Sequence, residues 1–110
     1  IPFVRNLRKM GIAVTLRATD DAQYQNRLRD CDFDMTIDLI PQSLTPGNEQ
    51  YAYWHSSQAN VPGGNNLMGV RDPVVDALVA RVIQAHSASD LVTAVHALDR
   101  VLLWGHYVIP

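Results

Sequence analysis

Apolar positions along the chain change period several times, and each change marks a candidate element. Phe3, Val4, Leu7 and Met10 recur at helical spacing, with Arg5, Asn6, Arg8 and Lys9 on the other face. Gly11 then supplies the residue type that most easily adopts the left-handed conformation ending a helix. From Ile12 the period drops to two. Ile12, Val14 and Leu16 alternate with Ala13, Thr15 and Arg17, which predicts a strand with one buried face. Asp20 or Asp21 can cap the next helix, which runs through Tyr24 and Leu28 to about Arg29. Phe33, Met35, Ile37 and Leu39 alternate with Asp34, Thr36 and Asp38 and predict a second strand. Strand, helix and strand in this order make a βαβ unit with parallel strands and a right-handed crossover.

Residues 40–71 carry the least regular pattern. Pro41, Pro46-Gly47, Pro62-Gly63-Gly64 and Asn65-Asn66 are turn formers, with a short helix predicted through Glu49 to Trp54. A loop of this length inside a compact domain is usually functional or docks against something else. Helical signals return at Asp72-Pro73, an Asp cap followed by Pro at the first helical position. Val74, Val75, Leu78, Val79, Val82 and Ile83 then form one apolar stripe. Ser87 or Ser89 can cap a last helix bearing Leu91, Val95, Leu98 and Leu102, with Gly105 just past its end. The fold class expected is therefore α/β, a βαβ unit plus two C-terminal helices.

Composition narrows the function classes. The 110 residues suffice for one domain, and a hydrophobic content of 47% with 18% charged residues suits a packed core. The formal net charge of −2 comes from acids and bases interspersed along the chain, so no basic stripe invites nucleic acid or an anionic membrane surface. No apolar run approaches the roughly 18 residues that span a bilayer, so membrane insertion is not expected. The single Cys31 cannot form an internal disulfide.

Candidate chemistry is thin. Asp30, Asp32 and Asp34 have the spacing that opens a calcium loop. Met35 stands where that loop needs Gly and Pro41 where it needs a bidentate Glu, so the aspartates read as the polar face of a strand and its preceding turn. His86, His96 and His106 recur every ten residues, which on a continuous helix advances about 280° and separates their faces. His55, beside Trp54, is the one histidine kept as a contact candidate. Ser43, Ser56, Ser57 and Cys31 lie in no recognisable nucleophile setting, and Gly63-Gly64 lacks the glycine spacing that cradles phosphate. No metal, no cofactor and no catalytic residue are expected.

In order and spacing, the chain resembles the C-terminal lobe of the family-5 extracellular solute-binding proteins, most nearly the subgroup associated with peptide and microcin C uptake. The segments that carry this are residues 3–12, 24–28, Phe33-Asp34-Met35-Thr36, 42–50, Asn66-Leu67-Met68-Gly69, Asp72-Pro73-Val74-Val75-Asp76 and 97–110. The resemblance implies part of lobe II of a periplasmic binding protein-like (type II) fold. Such a protein captures an oligopeptide or related small solute between two lobes and delivers it to an inner-membrane ABC permease. It also implies a periplasmic location, with the export signal outside these residues.

The resemblance further implies that Leu39, Ile40, Pro41, Gln42 and Ser43 lie nearest the ligand. Ile40 stands where the family typically has a Trp, and Ser43 where an acid often follows. Both replacements bear on which solute is held. Asn66 matches an Asn that precedes the Asp-Pro helix in the family and is expected to border the cleft, although a turn residue bonding its own backbone has the same signature. Trp54 and Trp104 are expected in the core.

The chain opens at Ile1-Pro2-Phe3 on a helical pattern and closes on the strand-like run Tyr107-Val108-Ile109-Pro110. We therefore expect 1–110 to be a single partial domain with truncated ends. An unpaired strand edge and apolar surface would favour self-association, and the chain by itself would bind little solute. A protein-interaction module presenting Tyr51, Tyr53 and Trp54 is the alternative reading. A small hydrolase built around Ser43 or Ser56 with His55 is a third.

Overall fold

The computed structural model describes residues 1–109; Pro110, the last residue of the strand-like run, lies outside them. Among the described residues five helices follow one another: α1 (Pro2–Lys9), α2 (Asp21–Arg29), α3 (Glu49–Trp54), α4 (Pro73–Ile83) and α5 (Ala88–Gly105), with a single 3-10 turn at Ser56–Gln58 after α3. Their boundaries follow local chemistry. The Asp20 carboxylate accepts from the Gln23 amide at the start of α2. Asp72 accepts from the Val74 amide at the start of α4, where Pro73 has no N–H to leave unpaired. The Ser87 hydroxyl does the same for Asp90 in α5. Gly11, at φ +81°, turns the chain out of α1. At the far end of α5 the left-handed cap is His106 rather than Gly105, which remains helical.

The core belongs to the C-terminal part of the chain. Val75, Val79 and Val82 project from α4 onto Leu98 of α5, while Trp54 of α3 and Val70 close the cluster. Leu78 on α4 and Leu91, Val95 and Leu102 on α5 pack around its edge. The apolar spacing read in the sequence is the contact face of α5, whereas on α4 it is so only at Val75, Leu78, Val79 and Val82, with Val74 and Ile83 exposed. Trp54 is buried at 7% exposure, whereas Trp104 is 81% exposed, contrary to the expectation of a core residue. Trp104 lies six positions beyond Leu98, about 240° around the helix, and so turns away from α4.

The predicted βαβ unit does not form. Among the described residues there is no strand, and the one ladder contact is an isolated bridge between Ala59 and Asn66. Residues 12–19 and 33–43 run without regular structure on either side of α2. Alternation gives each segment a strand's side-chain pattern, but a strand also needs a neighbouring backbone to take its N–H and C=O groups. Neither segment pairs with the other. The run from Tyr107 to Ile109 likewise carries no strand.

A few polar contacts tie the N-terminal part together and to the loop before α4. The Tyr24 hydroxyl of α2 meets the Thr36 hydroxyl at 3.2 Å and donates to the Ile37 carbonyl. The Gly63 amide donates to the Arg29 carbonyl at 3.2 Å. Arg27 and Asp32 pair at 3.0 Å. The radius of gyration is 16.1 Å, against about 13 Å expected for a compact domain of this length.

Candidate functional site

Helix α3 is short, but its i, i+4 pair Gln50 and Trp54 turns inward and builds the floor of a cleft facing α5. The Trp54 indole N–H donates to Gln50 Oε1 at 3.0 Å, and Gln50 Nε2 donates to Gln42 Oε1 at 2.7 Å. This relay ties the loop after residue 39 to the helix. Opposite it stand Val95, Leu98 and Leu102 of α5, with Tyr107 and Val108 at the end of the chain. The cleft encloses about 450 Å³, and among the described residues Asp99 is the only charged one along it.

At the mouth of α3, Glu49 Oε1 accepts from the Gly47 amide at 2.9 Å. That bond, with further help from its own amide and from Gln50, lowers the Glu49 pKa. The carboxylate also sits in the first turn of the helix, where negative charge is favoured.

The site residues named from the sequence separate into three groups. Ile40 and Gln42 line the cleft. Leu39, Pro41 and Ser43 face solvent, Leu39 with 89% of its surface exposed. Ser43 accepts from the Thr45 amide at 3.0 Å, a local turn bond that shapes the loop. Asn66 is buried at 2% exposure, and its amide is committed to the backbone. It donates to the His55 and Val70 carbonyls at 3.1 and 3.0 Å and accepts from the Val70 amide at 2.9 Å. Asn66 thereby clamps the loop that delivers Val70 to the core.

His55 follows α3 and forms a cluster with Tyr51, Ser57 and Asp76. Its ring stacks on Tyr51 with centroids 4.2 Å apart. Nδ1 lies 3.0 Å from the Ser57 hydroxyl, accepts from the Ser57 amide at 3.2 Å, and is 4.0 Å from Asp76 Oδ1. A nucleophile–base–acid relay needs the hydroxyl on one ring nitrogen and the carboxylate on the other. Here both face Nδ1, so the arrangement caps the 3-10 turn. Asp76 accepts from the Ser56 amide at 2.8 Å. Burial pushes the Asp76 pKa up, but the Ser56 bonds and the nearby imidazole outweigh it and leave it lowered. His86, His96 and His106 are all exposed, and no group of three or more metal-ligating side chains occurs among the described residues.

Sequence reasoning missed Gln50, Asp99 and Tyr107 as cleft residues. The i, i+4 spacing of Gln50 and Trp54 was a usable signal; Tyr107 was not, because its place depends on the left-handed turn at His106. The interaction-module reading loses its central anchor. Trp54 is in the core, Tyr53 packs against it, and only Tyr51 is open, hydrogen-bonded to Ser57 at 2.8 Å.

No family model matches the chain. Curated relatives do, along its whole length. The chain is 52% identical over 110 residues to a probable peptide-binding protein, YejA, of Agrobacterium fabrum. It is 46% identical over 110 residues to a putative binding protein of Brucella melitensis. It is 41% identical over 110 residues to a peptidoglycan-binding protein, YepA, of Agrobacterium fabrum. Each match takes in 100% of this chain and 18% of the relative, so the chain spans less than a fifth of the length of the relatives it matches. These relatives are named as binding proteins. The chain is homologous end to end to one segment of them, in agreement with its resemblance to solute-binding proteins. No described helix is long and apolar enough to cross a membrane.

Proposed function

We propose that the chain is one segment of the second lobe of a solute-binding protein and supplies one wall of its solute cleft. The observation that carries this reading is the unbroken match to a protein named as peptide-binding, at 52% identity over all 110 residues. The solute is a short peptide or a chemically similar molecule, captured without a chemical step. Closure of the two lobes is favoured because the solute touches both and so binds the closed state better. The loaded protein delivers to an inner-membrane ABC permease from the periplasm.

The wall is the loop 39–43. Leu39, Pro41 and Ser43 face outward to meet solute, while Ile40 packs against the core and Gln42, itself exposed, is tied to α3 through Gln50. Leu39 and Pro41 offer apolar surface, and Ser43 offers a neutral hydrogen bond. Asn66 acts at one remove, by holding the loop before α4. Segments 12–16 and 33–39 become the parallel strands of the βαβ unit once the rest of the lobe supplies neighbouring strands. Their alternation and the tie from Tyr24 to Thr36 support that reading.

The test is a chimera in which the matching 110 residues of the Agrobacterium fabrum relative are replaced by this chain. Calorimetric titration with a short-peptide library should show one-to-one binding by the chimera and none by the 110-residue chain. Leu39→Ala and Ser43→Ala should weaken it several-fold. Tight binding by the isolated chain, or a folded chimera that binds nothing its parent binds, would overturn the proposal.

A further inference from the structure

The side-chain amides beside the 39–43 loop have a fixed direction. An indole N–H can only donate, so the Trp54 bond at 3.0 Å turns Gln50 Oε1 toward the core. Gln50 Nε2 then faces the other way, where it meets Gln42 Oε1 at 2.7 Å and Glu49 Oε1 at 3.4 Å. The Glu49 contact fixes the same direction independently. Its carboxylate accepts from the Gly47 amide and, held ionised by that bond, has no proton to donate. A reversed Gln50 amide would set N–H against N–H at Trp54 and oxygen against oxygen at Glu49. Gln50 is 5% exposed, and a mismatch at a buried group is costly.

The direction passes from Gln50 to Gln42. With Oε1 taken by Gln50, the open hydrogen-bonding capacity of Gln42 is chiefly donor capacity at Nε2. Gln42 is exposed and stands between Pro41 and Ser43, on a stretch 39–43 that holds no ionisable side chain. We infer that Gln42 contacts solute with a fixed polarity: Nε2 donates to an acceptor oxygen, either a peptide carbonyl or a terminal carboxylate. Gln50 is the positioning residue that holds this polarity, anchored in turn on Trp54. The inference rests on the 39–43 loop being a solute wall. It also gives that wall a preference, because an ammonium group only donates and would meet another donor at Gln42 Nε2.

The test uses the Agrobacterium fabrum chimera and a tripeptide that it binds, as the free acid and as the C-terminal amide. Gln42→Met removes the donor, keeps the bulk and should weaken binding of the free acid about 5-fold. Gln42→Glu keeps an oxygen for Gln50 but turns an acceptor on the solute, and should weaken it about 10-fold or more. A Gln42→Met loss that persists with the amide assigns the partner to a peptide carbonyl; one that vanishes assigns it to the terminal carboxylate. Gln50→Met should cost about 3-fold, and adding it to Gln42→Met should cost nothing further, a coupling that a merely structural role would not produce. Unchanged binding in Gln42→Met, or tighter binding in Gln42→Glu, would overturn the inference while Leu39→Ala still tests the wall. A second readout needs no peptide. By nuclear magnetic resonance, the side-chain N–H groups of Gln50 should exchange with water about 10-fold more slowly than those of Gln42. The opposite order would overturn the inference even if the chimera binds nothing, and the 110-residue chain gives the same readout if the chimera fails to fold.

Discussion

Residues 1–48 and 49–105 carry comparable apolar periodicity and have opposite fates. In the second region α4 packs on α5 and on α3, and every buried residue of the described chain lies between Gln50 and Leu98. In the first region no residue is buried, although α1 and the two alternating segments present apolar faces. Ile37, for instance, is 89% exposed. The difference is one of partners. A helix completes its own backbone hydrogen bonds and needs only a second helix to cover its stripe, which α4 and α5 provide for each other across a short turn. A strand needs a neighbour to form at all.

The comparison breaks most visibly if the two regions respond alike to a buried charge. Val79→Asp places a carboxylate among Val75, Val82 and Leu98 and should cost more than about 4 kcal/mol, enough to abolish cooperative unfolding followed by circular dichroism. Ile37→Asp in the same assay should move the stability of the 110-residue chain by no more than about 0.5 kcal/mol. A large loss from Ile37→Asp would show that residues 33–39 are packed after all.

Asn66→Ala comes next. It strips hydrogen bonds from the buried Val70 backbone and should lower stability by about 2–4 kcal/mol in chemical denaturation. A neutral result would mean that the loop before α4 holds its shape without the clamp.

Helix caps sharpen the contrast at smaller scale. Asp72→Ala removes the cap of a core helix and should cost about 1 kcal/mol of global stability. Asp20→Ala should reduce the helical signal of α2 and leave the midpoint of core unfolding in place.

The smallest effect is on acid stability. Glu49 and Asp76 both have pKa values lowered in the folded chain, so the unfolded chain binds their protons more tightly. Their contribution is complete above the ordinary carboxylate range, above about pH 4–5. It is lost as pH falls through the lowered folded values. Denaturation midpoints from pH 7 to pH 2.5 should fall in that acid window, and Asp76→Asn should flatten the fall. Unchanged acid sensitivity in Asp76→Asn would assign the effect elsewhere.

The helices were legible in the residues alone, because their signals are local. Asp20, Asp72 and Ser87 each cap a helix within three residues of themselves, and Pro73 and Gly11 act through their own backbone angles. Also legible was the relationship to binding proteins, since the order of short segments survives whatever surrounds them. Tertiary structure alone decided the rest. Trp54 and Trp104 are the same residue type on helices, yet one meets Gln50 and the core while the other faces water. Asn66 has a turn residue's signature, and only the approach of His55 and Val70 makes it a clamp. Residues 12–16 and 33–39 have the alternation of strands and no strand to pair with, because a period describes which face a side chain takes and a sheet is made by a second backbone.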